Sequence, residues 1–315
     1  MFKSAVAYLT FVAVFLTVAT LMLILYPRQE RILPETTIVT SIFLLNKSKH
    51  SREDFKSWGA KLTDTVTSPL VVFCDQQSIS FLKDIWPQKK VKYIVLSNIW
   101  NFKLESFKTK YEDLWLLDPE KNIHSPEMYA VWNSKAAMVA FAKKNDFYNT
   151  KYFAWVDFGA WRDNTSFSNW PDNKAVDQLF KTYPSKHILV GLVTKPSEFT
   201  CQSFHKQTLG DEPAYRIDFV EGGFFVVDRI GAELFADKFY SLHDFWLSQG
   251  YFVGKDQTLF NAIIDDTFFF FHAYKAPPEF GDVWFRFRYL LHDSTKELYK
   301  KQGSLFPFVS DSLDC

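Results

Sequence analysis

Twenty-three consecutive residues, Ser4 to Tyr26, carry no charge. A helix rises about 1.5 Å per residue, so this run can cross a hydrocarbon core of roughly 30 Å. A secretory signal has a shorter apolar region, about 7–15 residues, and ends at a small-residue cleavage site. Here the run ends in the bulky residues LMLILYP. We read residues 1–27 as a short tail and a retained transmembrane anchor, with a cleaved signal as the alternative. Residues 28–35 then form a short stem, 36–295 one folded domain and 296–315 a C-terminal tail.

Basic residues do not decide the orientation, since Lys3 and the amino terminus face Arg28 and Arg31 across the run. A small N-terminal tail before a large domain suits a type II protein with its domain in the lumen of the Golgi or endoplasmic reticulum. The sequons Asn46-Lys47-Ser48 and Asn164-Thr165-Ser166 agree with that side. With 36 basic and 36 acidic residues and no basic tract, nucleic acid is not an expected partner. Three cysteines make neither a disulfide framework nor a ligand-spaced zinc site.

After the stem, strand-like and helix-like segments alternate. Residues 37–45 are rich in β-branched side chains. Phe55, Trp58 and Leu62 recur at helical spacing. Apolar runs at 70–73 and 91–96 flank a helix at 78–86. This order predicts an α/β fold, a mainly parallel sheet with helices on its faces. Ligands of such sheets bind at the carboxyl ends of strands.

A helix predicted over 126–144 aligns Met128, Trp132, Lys135, Val139 and Ala142 on one stripe. Lys135 either snorkels to the rim or points into a cleft toward an anion. The strand YFAWVD ends on Asp157, and a buried strand-end carboxylate is costly unless paired or metal-bound. The bland alternative is a turn-forming aspartate. Glu221-Gly222-Gly223 precedes the strand FFVV, and its glycines leave room for a ligand. Asp256-Gln257 opens a helix, where Asp256 is either its cap or a functional acid. His272 and His292 are candidate late metal ligands or core histidines.

In order, WNSK (132–135), WVDFGAWR (155–162), EGGFFVVDR (221–229) and DQTLFN (256–261) resemble the HtrL/YibB-like proteins, over about residues 36–272. That family is grouped with the GT-A-type nucleotide-diphospho-sugar transferases. The resemblance implies a Rossmann-like half that holds a nucleotide sugar and a second half for a glycan, protein or lipid hydroxyl acceptor. A lysine before a strand-terminal aspartate is also similar to retaining transferases of the glycogenin type. That likeness implies Lys135 near the donor, with Asp256, Gln257 and Asn261 matching its Asp-Gln…Asn pattern. With the residue types of the other motifs we expect a donor-binding set of Trp132, Lys135, Asp157, Arg162, Glu221, Gly222, Gly223 and Gln257, with Asp256 and Lys135 catalytic.

GT-A enzymes commonly carry Asp-x-Asp, but Gly159 stands at the third position here. The Mn²⁺ or Mg²⁺ expected of such a fold would then rest on Asp157 with His272, or with Asp163. The main rival is an inactive GT-A-like fold that binds a glycan or a partner. A hydrolase is disfavoured by the absence of a Gly-x-Ser-x-Gly elbow or a His-Glu-x-x-His helix.

Overall fold

Among the described residues, seven strands form one sheet. A computed structural model describes residues 35–45, 47–48, 50–86, 91–182, 184–193, 219–267, 270–275 and 280–292. The apolar run 4–26, most of the stem, the tail, Asn46, Cys201 and Cys315 lie outside those residues. Among the described residues no helix is long and apolar enough to cross a membrane.

The strands are β1 (Thr36–Ile42), β2 (Leu70–Asp75), β3 (Val91–Leu96), β4 (Tyr152–Val156), β5 (Ile188–Leu192), β6 (Val220–Asp228) and β7 (Phe271–Tyr274), and across the sheet they lie in the order β3-β2-β1-β4-β6-β5-β7. Pairings among β1, β2, β3 and β4 are parallel, as is β5 with β7; β6 runs antiparallel to both β4 and β5. The central strands β1, β4 and β5 are buried along their whole length. That is why they read as near-continuous apolar runs rather than as alternating ones.

Side-chain alternation sorts the sheet into two faces. Val39, Val71, Trp155, Phe225, Val190 and Ala273 share one face. It packs on α3 (Lys108–Leu117), α4 (Pro126–Asn145), α6 (Arg229–Ser248) and α7 (Asp256–Thr267). Ile38, Leu70, Ala154, Val226 and Leu189 share the other face. It is covered by α1 (Arg52–Thr65), α2 (Gln76–Ile85), α5 (Asn173–Thr182) and the short α8 (Phe287–Leu290). The mixed, mostly parallel sheet with helices on both faces is therefore as expected from the alternation.

Helix starts follow local chemistry. Ser51 and Asp54 form a reciprocal capping box on α1. Ser125 caps α4, and Pro126 fills the first turn where no N–H is needed. Asp228 caps α6 by accepting from the Gly231 amide at 2.7 Å. One expectation is corrected here: Gly222 and Gly223 do not precede their strand but lie inside β6.

From β1 the chain moves outward through β2 and β3, then crosses back over α4 to β4 on the other side of β1. The sheet thus has its topological switch between β1 and β4. The carboxyl ends of these two strands border the crevice where ligands of open α/β sheets bind.

Candidate functional site at the switch point

Asp157 is the first residue past β4, at the edge of that crevice. Its amide donates to the Gly223 carbonyl at 2.9 Å, so the start of β6 is stitched beside it. Trp155 shares a face with Asp157, two residues back, and its indole N–H donates to Asp157 Oδ1 at 2.7 Å. The side chain of Asp157 remains 38% exposed, so this acid faces the cleft.

Lys135 comes up from the middle of α4 and is only 3% exposed. Its Nζ donates to the Gly222 carbonyl at 2.7 Å. It lies 2.9 Å from Asp256 Oδ2 and 3.3 Å from Asp157 Oδ1. The face of the Trp155 ring lies 5.7 Å away. An ammonium has three donors; here three acceptors surround it. Lys135 therefore does not snorkel: it is the internal counter-ion of two carboxylates. Burial alone would lower its pKa, but the charges of Asp157 and Asp256, with their hydrogen bonds, outweigh that and raise it.

Asp256 is the first residue of α7 and is 3% exposed. Its Oδ1 accepts from the Gln257 amide at 3.0 Å while Oδ2 meets Lys135. It is thus both a helix-start acceptor and a member of the charged cluster. Burial pushes its carboxyl up to about 6, against the pull of Lys135, and the neighbouring charge of Asp157 adds to the rise. One ammonium between two carboxylates leaves one negative charge to share, so the more buried acid is the one driven toward its neutral form.

The glycines admit these neighbours. A Cβ on Gly222 would stand 2.5 Å from Gln257 Cγ, and one on Gly223 would stand 3.2 Å from Asp157 Oδ2. Gln257 in turn donates from Nε2 to the Val220 carbonyl at 2.9 Å. Lys135, Asp157, Gly222, Gly223, Asp256 and Gln257 are therefore brought together as the four motifs suggested. The space the glycines leave is taken by protein rather than by an open channel.

Arg162 lies on the exposed side of the turn after β4. Its Nε donates to the Gly159 carbonyl at 3.0 Å. The guanidinium is sandwiched between Trp58, 4.6 Å to the ring centroid, and Phe285, 4.9 Å. The rings fix its plane, while its two terminal nitrogens have no carboxylate partner among the described residues. It is an oriented cation whose outer edge is free.

Trp132 sits one turn before Lys135 on α4. Its ring meets His124 edge-on at 5.1 Å and lies 5.9 Å from Tyr129. Asp118, Glu120 and His124 bring one ligand atom each within 4.8 Å of one another. They are already engaged: Asp118 accepts from Tyr129, from His124 Nδ1 at 2.8 Å and from the Glu120 amide at 2.8 Å. Glu120 pairs with Lys255 at 2.6 Å.

Three expectations are corrected. Glu221 does not join the donor-binding group. It is 1% exposed and turns to the opposite face, where its carboxyl lies over Gly191, 2.7 Å from the position of a Cβ there. Burial holds that carboxyl well above the usual range.

His272 is fully buried on β7 and pairs with Leu189, which aligns with Val226 and then Ala154. It stands three strands from β4, about 14 Å at the usual spacing, and on the face away from Lys135. Burial drives its imidazole down to about 3. Asp163 is held by Arg288 through two bonds of 2.9 and 2.6 Å, which lower its carboxyl to about 2.

The cation pairing expected from the motifs, Asp157 with His272 or Asp163, is not assembled by the donors described here. His272 lies three strands away on the other face, Asp163 is engaged by Arg288, and Asp157 Oδ1 is taken by Trp155 and Lys135. The cation that bridges the two carboxylates is the Lys135 ammonium itself.

Ser41 escaped the motif reading. It lies at the carboxyl end of β1, across the switch, and the parallel register Val39↔Trp155, continued two residues, sets it beside Asp157. It is 8% exposed and its hydroxyl has no hydrogen-bond partner among the described atoms. A lone serine ending a buried strand is its only sequence signal. Asn133 was missed as well, although it lies inside the WNSK motif.

No protein-family model matches this chain, and no curated protein matches it in sequence. Among solved structures it is similar to mouse xyloside xylosyltransferase 1 in its apo form. The identity is 13% and the TM-score 0.44, over 76% of this chain and 84% of that one. It is also similar to 4-diphosphocytidyl-2C-methyl-D-erythritol synthase from Anaerococcus prevotii. There the identity is 10% and the TM-score 0.33, over 79% of this chain and 90% of that one.

Proposed function

We propose that this chain is a GT-A-like glycosyltransferase of the HtrL/YibB-like kind. It would move a sugar from a nucleotide-diphospho-sugar to a hydroxyl of a glycan, protein or lipid. The apolar run 4–26 would hold it in the Golgi or endoplasmic reticulum membrane with the domain in the lumen. One observation carries the activity: Asp157 faces the cleft at the topological switch, bridged through Lys135 to Asp256.

In this reading the reaction breaks the bond between the sugar carbon and the diphosphate oxygen and forms one to the acceptor oxygen. The acceptor's proton must leave, and the diphosphate departs with added negative charge. Arg162 is suited to that charge, because its free edge presents two N–H groups in a fixed plane. Asp157 faces the sugar. If the sugar's configuration inverts, Asp256 takes the acceptor proton; if it is retained, Asp256 orients the donor. Lys135 keeps both acids close as their shared counter-ion. No step is assigned to a metal ion.

The test is to incubate the full chain in detergent with a panel of UDP- and GDP-sugars, with and without Mn²⁺, and to measure nucleotide release and binding. Release that Asp157→Asn abolishes supports the transferase. Nucleotide binding without turnover on any acceptor would favour the rival, an inactive fold that binds a glycan or a partner. The absence of any nucleotide binding would overturn the proposal.

A further inference from the structure

Asn133 is fully buried on α4, two residues before Lys135. Its Nδ2 donates to the Val253 carbonyl at 2.7 Å and to the Tyr111 hydroxyl at 2.8 Å. Both of its amide protons are thus spent. Tyr111, on α3, therefore has its own proton left for His243 Nε2 on α6, 2.7 Å away. His243 then holds its proton on Nδ1, 2.8 Å from Asp244 Oδ1. The chain of bonds has one consistent direction, from Asn133 to Asp244. A flipped amide would set Asn133 Oδ1 against the Val253 carbonyl, two acceptors face to face, so the network allows one orientation.

Val253 lies three residues before Asp256 in the loop between α6 and α7. Four of the five residues 253–257 are held: Val253 by Asn133, Lys255 by Glu120, Asp256 by Lys135, and Gln257 by the Val220 carbonyl. The same helix that supplies Lys135 also grips the root of this loop. A shift at Val253 would carry Asp256 away from the ammonium it shares with Asp157.

We infer that Asn133 is a positioning residue, its amide oriented by Tyr111 and His243, that sets the Val253–Gln257 loop and so fixes where Asp256 meets Lys135. Its bearing on catalysis rests on the transferase reading above; its bearing on the loop does not.

Two variants of the full chain in detergent test it, Asn133→Leu and Tyr111→Phe. The first removes both donors at similar volume. The second keeps the ring and deletes only the hydroxyl that orients the amide. Hydrogen exchange should rise at least about tenfold at the amides of 253–257 in Asn133→Leu. It should rise about threefold in Tyr111→Phe, with β4 (Tyr152–Val156) unchanged in both.

With a sugar nucleotide that turns over, kcat should fall about tenfold or more while KM for the donor stays within about twofold. General loosening would move both constants and the exchange of β4 together. If Asn133→Leu does not fold, Tyr111→Phe decides. Unchanged exchange at 253–257 in the folded variants overturns the inference, as does equal loosening of β4. Loosening confined to the loop in a protein that binds no nucleotide would retain the positioning role and remove the transferase reading instead.

Discussion

Lys135 and Asp256 form an ion pair of 2.9 Å in which the lysine is 3% and the aspartate side chain 4% exposed. Removing one partner of a buried pair strands the other charge, which typically costs about 3–5 kcal/mol. Lys135→Met should therefore lower unfolding stability by that order in denaturant titration. A lysine that merely snorkelled would cost under about 1 kcal/mol. The double variant Lys135→Met with Asp256→Asn should recover much of the loss, because no buried charge then lacks its counter-ion. A single variant as stable as the wild type would show that the pair is not formed.

The pH dependence follows from Asp256. Its folded value of about 6 lies above its ordinary 3.8, so the folded state binds the extra proton more tightly between those values. Its contribution to stability is present below about 4 and is lost as pH rises through about 6. Asp256→Asn should flatten that part of the stability profile. Activity should run the other way and rise through about pH 6, as the carboxylate ionises. An activity profile flat from pH 5 to 7 would remove Asp256 from the chemistry.

Arg162 separates affinity from folding. It is exposed, and its terminal nitrogens have no carboxylate to lose. Arg162→Met should weaken UDP or GDP binding by about 1.5–3 kcal/mol, the range of a charge-assisted hydrogen bond. The melting temperature should shift little. Calorimetry with unchanged affinity for every nucleotide that binds would place the diphosphate elsewhere.

Asp157→Asn preserves shape and the Trp155 contact while deleting the charge. Turnover should drop at least ~100-fold, about 2.7 kcal/mol of transition-state stabilisation. Wild-type turnover in this variant would exclude the carboxylate from the mechanism.

Gly223 probes the same acid from the other strand. A Cβ there stands 3.2 Å from Asp157 Oδ2, tight enough to displace the carboxylate. Gly223→Ala should cost roughly tenfold in kcat, and Gly223→Val more, with the sheet still folded. Circular dichroism and turnover measured together distinguish a displaced acid from a lost strand.

Much of this architecture is legible in the residues themselves. Buried strands announce themselves as runs such as TIVTSI and YFAWV, because a strand covered on both faces has no polar side to show. Asp157 stands out as an acid closing such a run, and α4 as a stripe with one lysine in it. Those patterns are local: a period of 2 or 3.6 residues reports how each segment is buried and where it stops.

What such periods do not carry is which segments become neighbours. The antiparallel insertion of β6 beside β4 puts the Gly222 carbonyl over Lys135, and the packing of α7 brings Asp256 to the same ammonium. The register break between β5 and β6, not simple alternation, sends Glu221 to the opposite face from Lys135. Three strands of separation remove His272 from Asp157, although both close or interrupt apolar runs in much the same way. The sequence alone determined which residues were chemically able to act. Only the tertiary structure decided which of them share a site, because charge pairing depends on distances across strands and helices that the local pattern leaves open.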